Sequence, residues 1–213
     1  MAPRQFRDRR DAGQFLAAQL TVYAGRPDLL VLALPRGGVP VAAEVALALR
    51  APLDILVVRK LGVPGHEELA MGAIASGARR VLNCEIVESL RIPDSVIEAV
   101  AAQELAELER RERLYRGHRP PPEIRGRTIV LVDDGLATGA TTEAAVLSAR
   151  KQQAGSVVVA VPVASTNAVE RLGRVADNVI ALVVDPNFEA VGSYYEVFSQ
   201  TTDEEVVDLL KAA

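Results

Sequence analysis

The sequence has few of the residues that build disulfide frameworks and zinc sites. Among its 213 residues there is no tryptophan, one cysteine (Cys84) and two histidines (His66 and His118). A single cysteine cannot form an internal disulfide and is typical of a reducing compartment. One cysteine and two histidines are also fewer than the four side chains that usually bind a structural zinc ion. We expect Cys84 to be buried in packing rather than to act as a nucleophile.

Long apolar segments, basic tracts and nucleotide-hydrolysing motifs are missing as well. No apolar run reaches the ~18–20 residues that a membrane span needs. Residues 1–11 carry basic side chains without the apolar stretch that follows them in a secretory signal. The net charge of −4 and the pI near 5.4 argue against a general nucleic-acid surface, and neither a Walker loop nor a G-x-S-x-G turn occurs. We expect a cytoplasmic protein that binds neither membrane nor nucleic acid.

Apolar runs alternate with helical patterns along most of the chain. Short apolar runs bounded by turn residues predict buried strands at 29–34, 53–58, 129–132, 157–161 and 179–184. Helices are predicted at 11–24, with Asp11 as N-cap, and at 38–49, 94–117, 141–153, 166–174 and 203–212. This alternation implies an α/β fold with a parallel sheet of about five strands and helices on both faces. We expect one domain over 1–213, with a core at about 29–184, a small hood from 1–27 and 185–213, and a Gly-rich connection at 61–83 with one or two short extended pieces.

The most informative stretch is IVLVDDGLATGATT at residues 129–142. It reads as a buried strand that ends at Asp133 and Asp134, followed by a turn of small residues that begins a helix. Ligands of open parallel sheets bind beyond the carboxyl ends of the strands, and backbone amides at a helix start bind anions. The turn adds three hydroxyls, those of Thr138, Thr141 and Thr142. The stretch therefore combines a phosphate site with two acceptors for sugar hydroxyls or magnesium-bound waters, which together suit a sugar phosphate.

Two further strings carry basic residues directly after predicted strands. In LPRGGVP, Arg36 offers a fork of donors for phosphate oxygens, and Gly37 and Gly38 let the backbone approach a ligand closely. A plain Pro-Gly turn with a solvent-facing arginine is the alternative. In VRKLG, Arg59 and Lys60 could offset the charge of an anionic group. They could equally be ordinary basic residues at a strand exit.

Half of the eight Phe and Tyr residues lie in NFEAVGSYYEVF, just beyond the last predicted strand. They are Phe188, Tyr194, Tyr195 and Phe198. Aromatic faces can stack on a base for ~1–3 kcal/mol each. A cap or a subunit interface would use them equally well, so both interpretations stay open.

The string at 129–142 resembles the ribose-phosphate binding signature of type I phosphoribosyltransferases. Both have an apolar strand, an acidic pair, three residues and then T-G-x-T. The loop LPRGGVP is similar to the pyrophosphate loop of that family, in which the peptide bond before the basic residue is often cis. The resemblance therefore predicts a cis bond between Pro35 and Arg36.

VRKLG resembles the R-K-x-G start of the mobile loop in adenine phosphoribosyltransferases, which implies a lid at about 61–77. The sequence departs from that subgroup after Gly62, where the K-L-P of the subgroup is absent. Adenine is therefore not implied as the base. His66, Glu67 and Glu68 stand in this segment instead, as candidates for proton transfer on the base or as plain solvated residues.

The whole pattern most resembles the bacterial stand-alone phosphoribosyltransferases. That resemblance implies transfer of a phosphoribosyl group from phosphoribosyl pyrophosphate (PRPP) to a nitrogenous base or related amine, with Mg²⁺ as cofactor and pyrophosphate as product. By the same resemblance, Asp133 and Asp134 bind the ribose hydroxyls and the outer shell of Mg²⁺. Pyrophosphate binds to Arg36, Gly37, Gly38, Arg59 and Lys60. The 5′-phosphate binds to the turn residues Ala137, Thr138, Gly139, Ala140, Thr141 and Thr142.

In this family the base-reading hood comes from segments outside the core sheet, which implies a base pocket at Phe188, Tyr194 and Tyr195. The expected partners are PRPP, pyrophosphate and a base, and a homodimer is allowed. Two alternatives remain open. The same fold could serve a PRPP-sensing regulator without transferase activity, or the site could hydrolyse a phosphorylated ribose compound.

Overall fold

The computed structural model describes residues 5–76 and 79–212 and contains two sheets. The strands are β1 (Leu29–Ala33), β2 (Leu53–Ile55), β3 (Val58–Val63), β4 (His66–Ala75), β5 (Arg79–Leu82), β6 (Thr128–Val132), β7 (Ser156–Ser165) and β8 (Asn178–Asp185). The helices are α1 (Arg9–Gln19), α2 (Gly38–Leu49), α3 (Cys84–Ser89), α4 (Asp94–Arg116), α5 (Ala140–Lys151), α6 (Thr166–Leu172) and α7 (Asp203–Ala212). Short 3-10 turns lie at Thr21–Tyr23 and Val191–Tyr194. Within the described ranges, no helix is long and apolar enough to cross a bilayer.

The main sheet has five parallel strands in the order β2-β1-β6-β7-β8. The predicted parallel α/β sheet is therefore confirmed. From β1 the chain continues to β2 on one side, and from β6 it continues to β7 and β8 on the other. The strand order thus reverses between β1 and β6. In sheets of this type, the crevice at the reversal, beyond the carboxyl ends of the strands, is where ligands bind.

The inner strands are apolar along their central residues because helices cover both faces of the sheet. All five residues of β1 and of β6 are buried, as expected for strands covered on both faces. Alternate side chains of each strand point to opposite faces. Val130 and Val132 therefore belong to the core layer that includes α1, α2, α4 and α7, whereas Ile129 and Leu131 belong to the layer that includes α5 and α6. Each large apolar side chain that is buried in either layer stabilises the fold by about 1.5–3 kcal/mol.

The predicted strand at 53–58 is wrong in its second half. β2 ends at Ile55, and Val58 begins β3, which belongs to a separate antiparallel sheet of order β3-β4-β5. Ser76 stabilises the break between the sheets, because its hydroxyl accepts from Val57 N at 3.0 Å and its own N donates to Val57 O at 2.9 Å. The segment at 61–83, predicted as a connection with short extended pieces, thus contributes most of a three-stranded sheet that packs against α4. We call this sheet the lid sheet.

Two further predictions are wrong, the N-cap of α1 and the burial of Cys84. The N-cap of α1 is Asp8 rather than Asp11, and its Oδ1 accepts from the backbone N of Asp11 at 2.8 Å. Cys84 is exposed rather than buried. Cys84 is the first residue of α3, a helix that the sequence did not predict. The apolar residues Ile86 and Val87 of this helix pack against the core.

A small aromatic cluster lies beside the core, where the two ends of the chain meet. Phe6 N donates to Tyr194 O at 2.8 Å, and Glu196 N donates to Phe6 O at 2.8 Å. Phe6, Tyr194 and Tyr195 are buried together. The described parts of the N-terminal and C-terminal segments thus pack together as one substructure, which we call the hood.

Candidate active site

The loops after β1 and β6 contact each other in the crevice at the reversal of strand order. Leu34 N donates to Val132 O at 2.9 Å, which continues the pairing of the two strands past their ends. A Cβ built on Gly37 would overlap Asp134 Oδ2 and lie 2.6 Å from Asp134 Cγ. One built on Gly38 would lie 2.7 Å from Val132 O. Only glycine therefore lets these two loops approach so closely.

The loop after β1 has the predicted cis peptide bond between Pro35 and Arg36. The guanidinium of Arg36 lies 3.7 Å from Asp203 Oδ1, at the start of α7. Tyr115 of α4 donates to the same carboxylate at 2.6 Å. Burial, and then this hydrogen bond, raise the pKa of Tyr115 to about 12. Arg36 is therefore connected to two helices through Asp203.

Asp133 is a partly buried acid at the end of β6. Its Oδ1 accepts from the backbone N of Asp134 at 2.8 Å. Burial raises the pKa of Asp133 well above its usual range, and the neighbouring charge of Asp134 raises it further. A perturbed acid in a crevice is a common sign of a functional site.

Asp134 is fixed by residues of the hood. Arg9 Nε donates to Asp134 Oδ2 at 2.8 Å, and Tyr195 Oη donates to the backbone carbonyl of Asp134 at 2.6 Å. Burial, and then the charge of Asp134, raise the pKa of Tyr195, so its hydroxyl stays a donor. In the described structure the Asp134 carboxylate therefore already binds Arg9, so a substrate would share this carboxylate with Arg9.

The turn after the acid pair forms the start of α5. Gly139 is the N-cap, with φ of +71°, a conformation that favours glycine. Glu143 N donates to Gly139 O at 2.8 Å, so the amides of Thr141 and Thr142 lie in the turn where a helix leaves donors free for an anion. The amide of Ala140 donates to Thr138 Oγ1 at 3.4 Å and would exchange this contact for a ligand.

The three predicted hydroxyls of this turn differ in their access to a ligand. Thr138 and Thr141 are exposed, whereas Thr142 is only 2% exposed. The side chain of Thr142 is buried in this structure, so only the other two hydroxyls are accessible to a ligand, and the phosphate contact of the Thr142 hydroxyl stays a prediction. Ser165, at the end of β7, supports the turn from below by donating to Ala137 O at 2.6 Å.

Arg59 and Lys60 lie inside β3, not at the exit of a core strand as predicted. Arg59 Nε donates to Glu104 Oε2 of α4 at 2.7 Å. Both basic residues line a cleft of about 540 Å³ between the lid sheet and α4, which also reaches Thr141. The lid sheet therefore places these cations beside the helix start, on the side of it that faces α4. His66 is exposed at the start of β4, and the side chains of Glu67 and Glu68 lie outside the described part of the structure.

The aromatic residues proposed as a base pocket mostly contact one another. Phe188 stacks on Tyr194 with 5.4 Å between ring centroids, and Tyr195 stacks on Phe198 at 5.1 Å. Tyr194 and Tyr195 are each only 4% exposed, and Tyr194 Oη donates to Asp185 Oδ2 at 2.6 Å. In this arrangement neither tyrosine presents a free ring face to a base, because Phe188 and Phe198 stack on them, and the base pocket stays a prediction. Phe188 is half-buried.

The acid pair could bind a divalent cation together with a phosphorylated ligand. Mg²⁺ prefers carboxylate oxygens and usually shares its coordination with substrate phosphates and waters. Asp133 and Asp134 supply such oxygens beyond the carboxyl end of β6, directly beside the glycine loop. Within the described ranges, no group of three or more His, Cys, Asp and Glu residues forms a cage for a metal ion.

Sequence reasoning did not find Arg9, Tyr195 as a hydrogen-bond donor, or Asp203. Each contacts a predicted site residue across a long separation in sequence, 125 positions for Arg9 and Asp134. The only available signal was that the hood had to come from the two ends of the chain, which names segments but not side chains.

Fold and crevice together define an α/β protein whose parallel sheet presents an acidic pair, a glycine loop and an anion-binding helix start at its reversal point. The chain belongs to the phosphoribosyl transferase family, since the model of the phosphoribosyl transferase domain matches residues 6–196.

The relatives agree with this assignment. The chain is 48% identical over 208 residues to a Mycobacterium tuberculosis protein named "Putative phosphoribosyl transferase", and the alignment covers 98% of this chain and 47% of that protein. The chain thus spans about half the length of the curated relatives that it matches. The chain is 47% identical in sequence to TT1426 from Thermus thermophilus, and its structure superposes on the crystal structure of that protein with a TM-score of 0.88, with 97% of each chain covered. AQ2163 from Aquifex aeolicus, at 13% identity and a TM-score of 0.50 over 96% of this chain and 85% of its own, is similar in fold alone.

Proposed function

We propose that the protein transfers the phosphoribosyl group of PRPP to a nitrogen nucleophile, a base or related amine, in a Mg²⁺-dependent reaction that releases pyrophosphate. One observation carries the proposal. The acid pair at the end of β6 contacts the glycine loop after β1 while the amides that begin α5 follow in the same turn. A single phosphorylated sugar would satisfy all three elements.

In this function the two acids bind the ribose. The carboxylates of Asp133 and Asp134 accept hydrogen bonds from the ribose hydroxyls and would hold a Mg²⁺ ion through its bound waters. When bound, the ion would neutralise part of the charge on the leaving group. Binding of a cation would also favour the ionised form of Asp133, whose pKa burial raises in the free protein.

The two phosphate groups bind on either side of the acid pair. The 5′-phosphate accepts from the amides at the start of α5 and from the hydroxyls of Thr138 and Thr141. Pyrophosphate accepts from Arg36 and from the backbone amides of Gly37 and Gly38, helped by Lys60 across the cleft. For Arg59 to take part, it would have to exchange its contact with Glu104 for the ligand.

The chemical step then needs no covalent enzyme intermediate. The nitrogen nucleophile attacks the anomeric carbon as the bond to pyrophosphate breaks, so positive charge develops on the ribose ring and negative charge on the leaving group. Alignment of nucleophile and carbon contributes up to about 7–11 kcal/mol in favourable cases. Charges already fixed around the leaving group lower the barrier further, because they need no reorganisation during the step.

The test is a pyrophosphate-release screen with PRPP, Mg²⁺ and a panel of purines, pyrimidines and small amines. We expect release that depends on one acceptor class and on Mg²⁺, and that falls at least tenfold in Asp134→Asn. Ribose 5-phosphate formed without an acceptor would contradict transfer and support hydrolysis.

A second candidate function is PRPP sensing without transfer. It is favoured by the ion pairs that three proposed ligand side chains already form, namely Asp134 with Arg9, Arg36 with Asp203, and Arg59 with Glu104. A ligand that exchanges these contacts could change the position of the hood and of α4. Uptake of PRPP without pyrophosphate release against the whole panel would support this function over transfer.

A further inference from the structure

The side chain of Arg9 lies against the proposed ribose ligand Asp134. Its Nε donates to Asp134 Oδ2 at 2.8 Å, and the two side chains are only 12% and 15% exposed. Exposed ion pairs contribute little because solvent screens them and their side chains are mobile, but neither condition applies at this burial. Arg9 is therefore a counterion that the hood supplies to the acid pair.

The C-terminal segment fixes Arg9 in this position. Its Nη1 donates to the backbone carbonyl of Ser199 at 2.7 Å, and its guanidinium carbon lies 4.0 Å from the ring centroid of Phe198. A planar guanidinium that stacks on a ring and donates in two directions is held in one orientation. The direction in which Arg9 approaches Asp134 is thus set by the protein before a ligand binds.

Asp134 is restrained on its other sides as well. Tyr195 binds its backbone carbonyl, and Gly37 packs so closely that no side chain fits between that loop and the carboxylate. The hydrogen bond from Arg9 involves Oδ2, so in the proposed complex a substrate hydroxyl would donate to Oδ1 of this carboxylate, on which the neighbouring Asp133 carboxyl also acts. Arg9 and a ribose hydroxyl can therefore bind the same carboxylate together.

We propose that Arg9 is a positioning residue for Asp134, fixing the carboxylate in the orientation that accepts the ribose hydroxyls of PRPP. It acts through Asp134 and connects both ends of the chain to the substrate site. This proposal rests on the function proposed above, because it requires that Asp134 binds PRPP.

A double-mutant cycle on PRPP affinity tests the proposal. Isothermal titration with PRPP and MgCl₂ would compare wild type, Arg9→Gln, Asp134→Asn and the double variant. We expect Arg9→Gln to weaken PRPP binding at least tenfold in the wild-type background and less than twofold in the Asp134→Asn background. Arg10→Gln is the matched control, because Arg10 is the exposed neighbour on the same turn of α1, and it should leave the dissociation constant within twofold of wild type.

A merely structural role for Arg9 predicts a different pattern, namely an equal loss of affinity in both backgrounds with a parallel fall in melting temperature. That pattern, or unchanged PRPP affinity in folded Arg9→Gln, would overturn the proposal. If Arg9→Gln does not fold, Arg9→Lys replaces it, since lysine keeps the charge but not the planar fork. Its expected severalfold loss should disappear in Asp134→Asn, and persistence of that loss would overturn the proposal.

The failure of the proposed function has its own signature. Wild-type protein that takes up no PRPP in the presence of Mg²⁺ would refute that function, and with it this inference. Wild-type protein that binds PRPP and is indifferent to Arg9 would refute the inference alone.

Discussion

Gly38 offers a sharp test of the contact between the two loops of the crevice. A Cβ on this residue would lie 2.7 Å from Val132 O and 2.9 Å from Asp133 Cα, and both neighbours are backbone atoms that no side-chain rotation can move. Gly38 is also the first residue of α2, where helix propensity alone predicts that alanine stabilises the protein by up to about 1 kcal/mol. Packing and propensity thus predict opposite signs for Gly38→Ala.

Packing should decide the outcome. Forcing an extra methyl group into a close-packed site costs about 1–3 kcal/mol, so after the gain in propensity we expect a net loss of roughly 1–2 kcal/mol in the free energy of unfolding. For a chain of this size that loss lowers the melting temperature by about 2–8 °C. PRPP affinity should fall with it, because the glycine loop must move away from the acid pair.

The measurement is a thermal melt paired with a PRPP titration. Gly173→Ala is the control, since Gly173 is exposed at the end of α6 and a Cβ there would lie 3.3 Å from its nearest neighbour, Val169 O. The control should stay within about 1 kcal/mol of wild type. A Gly38→Ala protein as stable as wild type or more so would refute the close approach of the two loops.

Three further predictions concern the surroundings of the site. Tyr195→Phe removes the 2.6 Å hydrogen bond to the Asp134 carbonyl and should cost about 1–3 kcal/mol and weaken PRPP binding. Tyr194→Phe, which loses its bond to Asp185 instead, should keep PRPP affinity, and equal affinities of the two variants would contradict this role. Asp133→Asn should raise the melting temperature more at pH 7 than at pH 4. Burial raises the pKa of Asp133 above 3.8, so the acid stabilises the folded state at low pH and this stability is lost as the pH rises towards the folded-state pKa. Asparagine does not titrate and has no such loss. A difference in melting temperature that does not change with pH would count against this prediction. Arg116→Met leaves Asp54 and Glu112 without the arginine that binds both, at 2.8 and 2.6 Å. We expect a loss of about 3 kcal/mol in urea denaturation, the lower end for a broken buried pair because both acids keep some solvent, against less than about 1 kcal/mol for the exposed control Arg110→Met.

Much of the sheet and the centre of the site could be predicted because their signals are local. A strand buried on both faces is mostly apolar, so the apolar run before Asp133 predicts a strand. The turn residues that follow the acid pair predict the start of α5. The acid pair and the glycine loop then meet because parallel strands end at one edge of the sheet.

The lid sheet and the full length of β7 could not be predicted, because their residues carry conflicting local signals. Pro162 lacks the N–H of a strand interior, so the pattern predicted that β7 ends at Val161. The strand continues to Ser165, since β6 pairs only as far as Ala160 and Pro162 lies beyond that partner. The lid sheet contains glycine and polar residues, which have low strand propensity, so its sequence does not show a clear strand pattern. Antiparallel pairing of β3, β4 and β5 stabilises these strands instead.

The partners of the site residues depended on tertiary structure alone. The ion pair between Arg9 and Asp134 and the hydrogen bond from Tyr195 each require the two ends of the chain to pack beside β6. No periodicity or spacing encodes such contacts. The inward orientation of Thr142 likewise follows from where α5 packs on the sheet.

The most direct test of the account is calorimetric titration of PRPP, with Mg²⁺ present, into the wild-type protein and Asp134→Asn. We expect saturable binding to wild type and at least a tenfold weaker dissociation constant in the variant, which corresponds to the loss of a charged hydrogen bond of about 1.5–3 kcal/mol. Absence of PRPP uptake by wild type, or equal dissociation constants for the two proteins, would contradict it.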